Sequence, residues 1–139
     1  RQPQLRAAIA HGTHNIPPPR TGDPLPVDNR VPLAFMHGTA DGVVTLDQSR
    51  RSFDVVHGVL PRLFVEIDGG NHFFLNDSSS PQGVNADRNE PALDQDASVA
   101  AATRWTALWF KANDGDADAL ATLRKGSDEA YVKVELLES

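Results

Sequence analysis

Two apolar segments, each followed by a glycine-containing turn, constrain the fold of this sequence most strongly. Residues 31–36 precede a His-Gly turn, and residues 63–67 precede a Gly-Gly turn. A short apolar run that ends in such a turn is typical of a strand buried on both faces of a parallel sheet. We therefore predict two strands, over residues 31–36 and 62–67.

A helix is predicted between these two strands. Thr45 and Gln48 have the spacing of a capping box, which favours a helix that begins just after Thr45. The helix should continue to about Val56 and end before Gly58. The order strand, helix, strand predicts a right-handed crossover between parallel strands, so the fold class is predicted to be α/β.

The remaining segments predict further elements around this unit. They are a strand over residues 5–10, a Pro-rich connecting loop over 15–29, a polar loop over 76–91, a long helix over 93–112, a short helix over 117–123, and an edge strand or ordered tail over 131–136. The long helix carries Trp105 and Trp109 on one apolar face, a pattern that is typical of a helix covering a sheet.

Asp41 and His72 each follow one of the two predicted central strands. Because the carboxyl ends of parallel strands lie at one edge of a sheet, we expect these side chains to be neighbours. A carboxylate that orients an imidazole is the pair that acyl transfer requires. Phe73 and Phe74 follow the histidine and are expected to form an apolar wall for a substrate.

The sequence resembles a known family around these residues. The pattern His-Gly-x-x-Asp-x-Val-Val at 37–44, followed by Gly-x-His-Phe at 70–73, is similar to α/β-hydrolases of the serine esterase and lipase type, including polyester- and chlorophyll-hydrolysing enzymes. The resemblance spans about residues 31–124 and includes the Trp-rich stretch at 104–110. It implies that Asp41 and His72 are the acid and the histidine of a Ser-Asp-His triad.

The nucleophile of such a triad is missing from the sequence. It contains no Gly-x-Ser-x-Gly elbow and no His-Gly-Gly oxyanion loop. Its serines at positions 49, 52 and 98 fall on predicted helices and those at 78–80 fall in a polar loop, so we expect all of them to be ordinary surface residues.

The length of 139 residues is about half of what a complete α/β-hydrolase needs. We therefore expect residues 1–139 to form a partial domain, the carboxyl-terminal half of an α/β-hydrolase, with parallel strands, a crossover helix and a long terminal helix. The amino-terminal half, which carries Gly-x-Ser-x-Gly, would come from a second chain or from a nicked segment. A heterodimer that acts on a small ester is the expected assembly.

The composition restricts the possible partners. A net charge of −6 and a pI near 5.2 disfavour binding to nucleic acid, and no apolar run approaches the ~20 residues of a membrane span. The absence of cysteine excludes a thiolate nucleophile. We expect no cofactor. The sequence does not fix the compartment, although secretion is slightly favoured.

Two other interpretations stay open. In the first, the chain is a non-catalytic half-hydrolase that serves as an interaction module, and Asp41 and His72 only stabilise the fold. In the second, a metal-dependent hydrolase uses His11, His14 and His37 together with that pair. We expect no metal site, because the His-x-x-His spacing of His11 and His14 on a loop is a weak signal of metal binding. Both histidines are expected to be solvated loop residues.

Overall fold

The chain forms an α/β fold. The computed structural model describes residues 4–27 and 30–139. Its elements, in chain order, are β1 (Ala8–His11), β2 (Leu33–Gly38), α1 (Leu46–Asp54), β3 (Arg62–Ile67), α2 (Gln95–Asn113), α3 (Ala117–Lys125) and β4 (Val132–Leu137).

The four strands form one mixed sheet in the order β1-β2-β3-β4. Strands β1, β2 and β3 are parallel, and β4 pairs antiparallel with β3. Gly38, the last residue of β2, pairs in register with Ile67, the last residue of β3. The two central strands therefore end at the same level, and the turns that follow them lie side by side.

Helices cover both faces of the sheet. On one face, Trp105 and Trp109 of α2 are fully buried against the side chains of β2 and β3. On the other face, Phe53 of α1 packs edge-on against Phe64, with 5.2 Å between ring centroids. Successive strand residues point to opposite faces, so the continuous apolar runs are explained by burial on both sides.

All seven predicted helices and strands are present; β3 has the predicted bounds, and the others are shifted by one to three residues at one or both ends. Helix α1 begins with the predicted capping box, because the Thr45 hydroxyl accepts from the Gln48 N–H and the Gln48 side chain accepts from the Thr45 N–H. It ends at Asp54, short of the expected Val56. Strand β1 begins later than predicted, and the carboxyl-terminal segment is an edge strand rather than a tail.

Loop predictions have mixed outcomes. Residues 15–27 contain no helix or strand, in agreement with the Pro-rich loop, while its last two positions, 28 and 29, lie outside the described residues. Residues 76–91 also lack helices and strands. No helix in the described part of the chain has the length and apolar character needed to cross a membrane.

The prediction that the helical serines lie on the surface is wrong. Ser49, Ser52 and Ser98 are all buried. The Ser52 hydroxyl donates to the Gln48 carbonyl, and the Ser98 hydroxyl donates to the Phe74 carbonyl, each at 2.8 Å. These two hydroxyls can be buried because they bond to backbone groups. The Ser49 hydroxyl has no partner in residues 4–27 and 30–139.

Candidate active site

The turns that follow β2 and β3 are joined by backbone hydrogen bonds. The Thr39 N–H donates to the Ile67 carbonyl at 3.0 Å, and the Ala40 N–H donates to the Gly70 carbonyl at 2.9 Å. The Thr39 hydroxyl accepts from the Gly69 N–H and donates to Asp68. These bonds fix the position of one turn relative to the other.

Gly38 allows this close approach. A Cβ atom at Gly38 would lie 2.2 Å from the Gly70 carbonyl oxygen and 2.9 Å from that of Asn71. Both are backbone atoms, so no side-chain rotation could relieve the overlap. His37 and Gly38, predicted as a turn, are thus the end of β2, and packing requires glycine at position 38.

Asp41 and His72 meet between these turns. The Asp41 Oδ2 atom lies 2.9 Å from the His72 Nδ1 atom, and the Asp41 carboxylate is fully buried. The other carboxylate oxygen, Oδ1, accepts from the N–H groups of Val43 at 2.9 Å and Val44 at 2.8 Å. These two backbone donors hold the carboxylate so that Oδ2 faces the imidazole.

The hydrogen bond determines which imidazole nitrogen is free. An ionised carboxylate only accepts hydrogen bonds, so in the neutral ring His72 Nδ1 carries the proton and Nε2 carries the lone pair. The His72 side chain is 27% exposed, and within residues 4–27 and 30–139 nothing is hydrogen-bonded to Nε2. This is the state of a histidine that can accept a proton through Nε2.

A second imidazole, that of His37, contacts the same carboxylate. Its Nε2 atom lies 2.9 Å from the Val44 carbonyl oxygen and 3.4 Å from Asp41 Oδ2. Because a carbonyl can only accept, Nε2 carries the proton. Burial lowers the pKa of His37 below its ordinary value, so the ring is neutral at pH 7. His37 thus stabilises the turn that presents Asp41.

Asp87 is a site residue that the sequence reasoning missed. Its Oδ2 atom accepts from the His72 N–H at 2.7 Å, and its Oδ1 atom accepts from the Gly42 N–H at 3.0 Å. Burial opposes its ionisation, but the N–H groups of Asn89, His72 and Gly42 together hold the pKa of Asp87 below its ordinary value. The polar loop at 76–91 therefore contributes a carboxylate to the site.

Side-chain hydrogen bonds hold the backbone segment around His72. The Gln95 side chain donates to the carbonyls of Phe73 and Asn76, and the Ser98 hydroxyl donates to that of Phe74. The Asn71 amide donates to the Ser79 and Asn89 carbonyls. This segment is held against the start of α2 and against the polar loop.

The two phenylalanines after His72, which are predicted to form a substrate wall, have different surroundings. Phe74 is fully buried in the α2-side core, where its ring lies 6.4 Å from that of His11. Phe73 is 9% exposed, and its ring packs edge-on against the His72 imidazole at 5.4 Å between centroids. Both side chains are buried, and the Phe73 ring is the one that contacts the imidazole; their role as a substrate wall stays a prediction.

His11 is not the solvated loop residue that we expected, whereas His14 does lie in a segment without helix or strand. His11 is the last residue of β1, half-buried, with its Nε2 atom 3.1 Å from the Thr106 hydroxyl of α2. Burial lowers the pKa of His11. His14 Nδ1 accepts from the Ile16 N–H at 3.0 Å. In the described ranges, no group of three or more His, Asp or Glu side chains is arranged to hold a metal ion.

In the part of the chain that the structure describes, no serine completes a triad with Asp41 and His72. Within the described residues, no serine hydroxyl is hydrogen-bonded to the His72 ring, and those of Ser52 and Ser98 bond to backbone carbonyls. Comparison of the sequence with protein-family models and with curated proteins gives no match.

Proposed function

We propose that this chain is the acid- and histidine-bearing part of a serine hydrolase that cleaves carboxylic esters. The observation that carries the proposal is the 2.9 Å hydrogen bond between Asp41 and His72, in which the carboxylate is fully buried and the imidazole is partly exposed. A buried carboxylate and a reachable imidazole are the acid and base of acyl transfer.

Each of the two residues has a distinct chemical role. His72 Nε2 accepts the proton of a serine hydroxyl as that hydroxyl attacks the ester carbonyl, and then returns the proton to the leaving alcohol. Asp41 keeps the ring in the Nδ1–H tautomer and stabilises the imidazolium that forms. The Val43 and Val44 N–H groups keep Asp41 oriented through both steps.

The serine comes from outside this chain, either from a second chain or from a nicked segment. The absence of a Gly-x-Ser-x-Gly elbow supports this part of the proposal. The open edge of the sheet supports it as well, because β1 is an edge strand whose one partner within the described residues is β2. An edge strand leaves backbone N–H and C=O groups available for pairing with another chain, so the segment that supplies the serine can add a strand beside β1.

The substrate is a small ester. Its carbonyl lies next to the exposed side of His72, where the Phe73 ring offers an apolar contact. The acyl and alcohol preferences depend on the segment that supplies the serine.

Turnover of a chromogenic short-chain ester by the assembled protein tests this function. Asp41→Asn should lower kcat by about 10⁴-fold, because the amide favours the wrong imidazole tautomer. Asp54→Asn, which changes an exposed carboxylate on α1 in the same way, should leave kcat unchanged. Full activity of Asp41→Asn would end the catalytic assignment and leave the interaction module as the function.

Two reagents separate the proposed mechanism from a metal-dependent one. A serine-directed organophosphate should abolish ester turnover, and a chelator should not affect it. The opposite pattern would replace the serine hydrolase with a metal-dependent hydrolase.

A further inference from the structure

We propose that Asp87 is a positioning residue for the Asp41–His72 pair, tying together the turns that carry the two members. The inference rests on the proposed function and deepens it. The polar loop places the Asp87 carboxylate against both turns, and His72 is bonded to it through its own backbone N–H.

The hydrogen bonds of Asp87 connect three separate segments. Its carboxylate accepts from Gly42, one residue after Asp41, from His72 itself, and from Asn89 in its own loop. The bond to His72 is the shortest of the three, at 2.7 Å. An ionised carboxylate makes stronger hydrogen bonds to N–H groups than a neutral acceptor does. Asp87 thus restrains the backbone on either side of the Asp41–His72 hydrogen bond.

The backbone of the Asp41 turn is shaped to receive this carboxylate. A Cβ atom on Gly42 would lie 2.4 Å from Asp87 Oδ1 and 3.0 Å from the Asn89 side-chain nitrogen. The absence of a side chain at position 42 is therefore what lets Asp87 reach the Gly42 N–H. This close approach is a second observation, independent of the hydrogen bond to His72.

Substitution by asparagine should weaken the bond to His72 selectively. The amide keeps one acceptor oxygen, which can still bond to Gly42 and Asn89, but its NH₂ group then faces the His72 N–H donor. Gly42→Ala reaches the same result by another route, since the new methyl group displaces the Asp87 side chain without removing its charge.

The test uses the assembled protein with this chain isotope-labelled, and it needs no catalytic turnover. Ring ¹⁵N chemical shifts report the tautomer of His72 at a pH where the imidazole is neutral, and hydrogen exchange reports the protection of its backbone N–H. In Asp87→Asn and Gly42→Ala, we expect a mixture of tautomers and about tenfold faster exchange of the His72 amide, as for the loss of one net hydrogen bond. Asp77→Asn, an exposed carboxylate in the same loop, is the matched control and should behave like the wild type.

Asp41→Asn distinguishes failure of this inference from failure of the proposed function. If Asp41→Asn changes the His72 tautomer but Asp87→Asn and Gly42→Ala do not, Asp87 has no positioning role and the proposed function is unaffected. If Asp41→Asn also leaves the tautomer unchanged, both proposals are overturned. Loss of folding in both Asp87→Asn and Gly42→Ala would make Asp87 a purely structural residue and would overturn the inference.

Discussion

Replacing Gly38 with alanine tests the contact that brings the two turns of the candidate site together. The new Cβ atom would lie 2.2 Å from the Gly70 carbonyl oxygen and 2.6 Å from its carbonyl carbon. Carbon atoms in good contact are ~3.5–4.0 Å apart, so the turns must separate by roughly 1 Å or more. That movement would strain or break the Ala40–Gly70 and Thr39–Ile67 hydrogen bonds.

The expected loss of stability follows from these contacts. Overpacking costs about 1–3 kcal/mol, and each lost backbone hydrogen bond costs about 0.5–1.5 kcal/mol. We expect Gly38→Ala to lower the free energy of unfolding by about 2–6 kcal/mol, measured by urea denaturation. Gly22→Ala is the matched control, because no atom of the described residues lies within 4 Å of a Cβ at that position. A Gly38→Ala variant within about 0.5 kcal/mol of the wild type would refute the packing argument.

Three further predictions concern buried polar groups. Burial lowers the pKa of His37, so below about pH 6.5 the unfolded chain binds more protons than the folded chain, and the free energy of unfolding should fall as the pH falls. The fall, measured by urea denaturation, should be smaller in His37→Gln. The same pH dependence in both proteins would contradict this prediction. Ser98→Ala should cost about 1–3 kcal/mol by leaving the Phe74 carbonyl without its donor, with ester turnover unchanged; a loss of turnover in folded protein would show that Ser98 positions the segment after His72. Trp109→Phe removes the donor to the Ala8 carbonyl and should destabilise the fold by about 1 kcal/mol or more, whereas a neutral effect in the same assay would show that this bond does not secure β1.

The central part of the fold is predictable because it follows local rules. The apolar runs of β2 and β3, the Thr45–Gln48 capping box and the apolar face of Trp105 and Trp109 each reflect a short-range pattern. The contact between Asp41 and His72 follows from the parallel order of two strands that end in register. Their catalytic role stays a prediction.

The features that sequence reasoning missed depend on long-range contacts. Asp87 lies in a loop whose sequence has no hydrophobic periodicity. Its carboxylate accepts hydrogen bonds from backbone N–H groups 15 and 45 residues away, and such contacts leave no pattern in the sequence. The burial of Ser98 depends on the Phe74 carbonyl, 24 residues away. His11 is predicted in a loop because the predicted strand ends at residue 10, whereas β1 ends one residue later, at His11.

Labelling of the native, assembled protein with a fluorophosphonate, followed by mass mapping of the adduct, tests the central claim most directly. A serine that is activated by His72 should react, and the account predicts a single adduct on a serine of a Gly-x-Ser-x-Gly segment outside these 139 residues, with labelling strongly reduced by Asp41→Asn. An adduct on one of this chain's own serines, or no adduct on a protein that hydrolyses esters, would contradict the account.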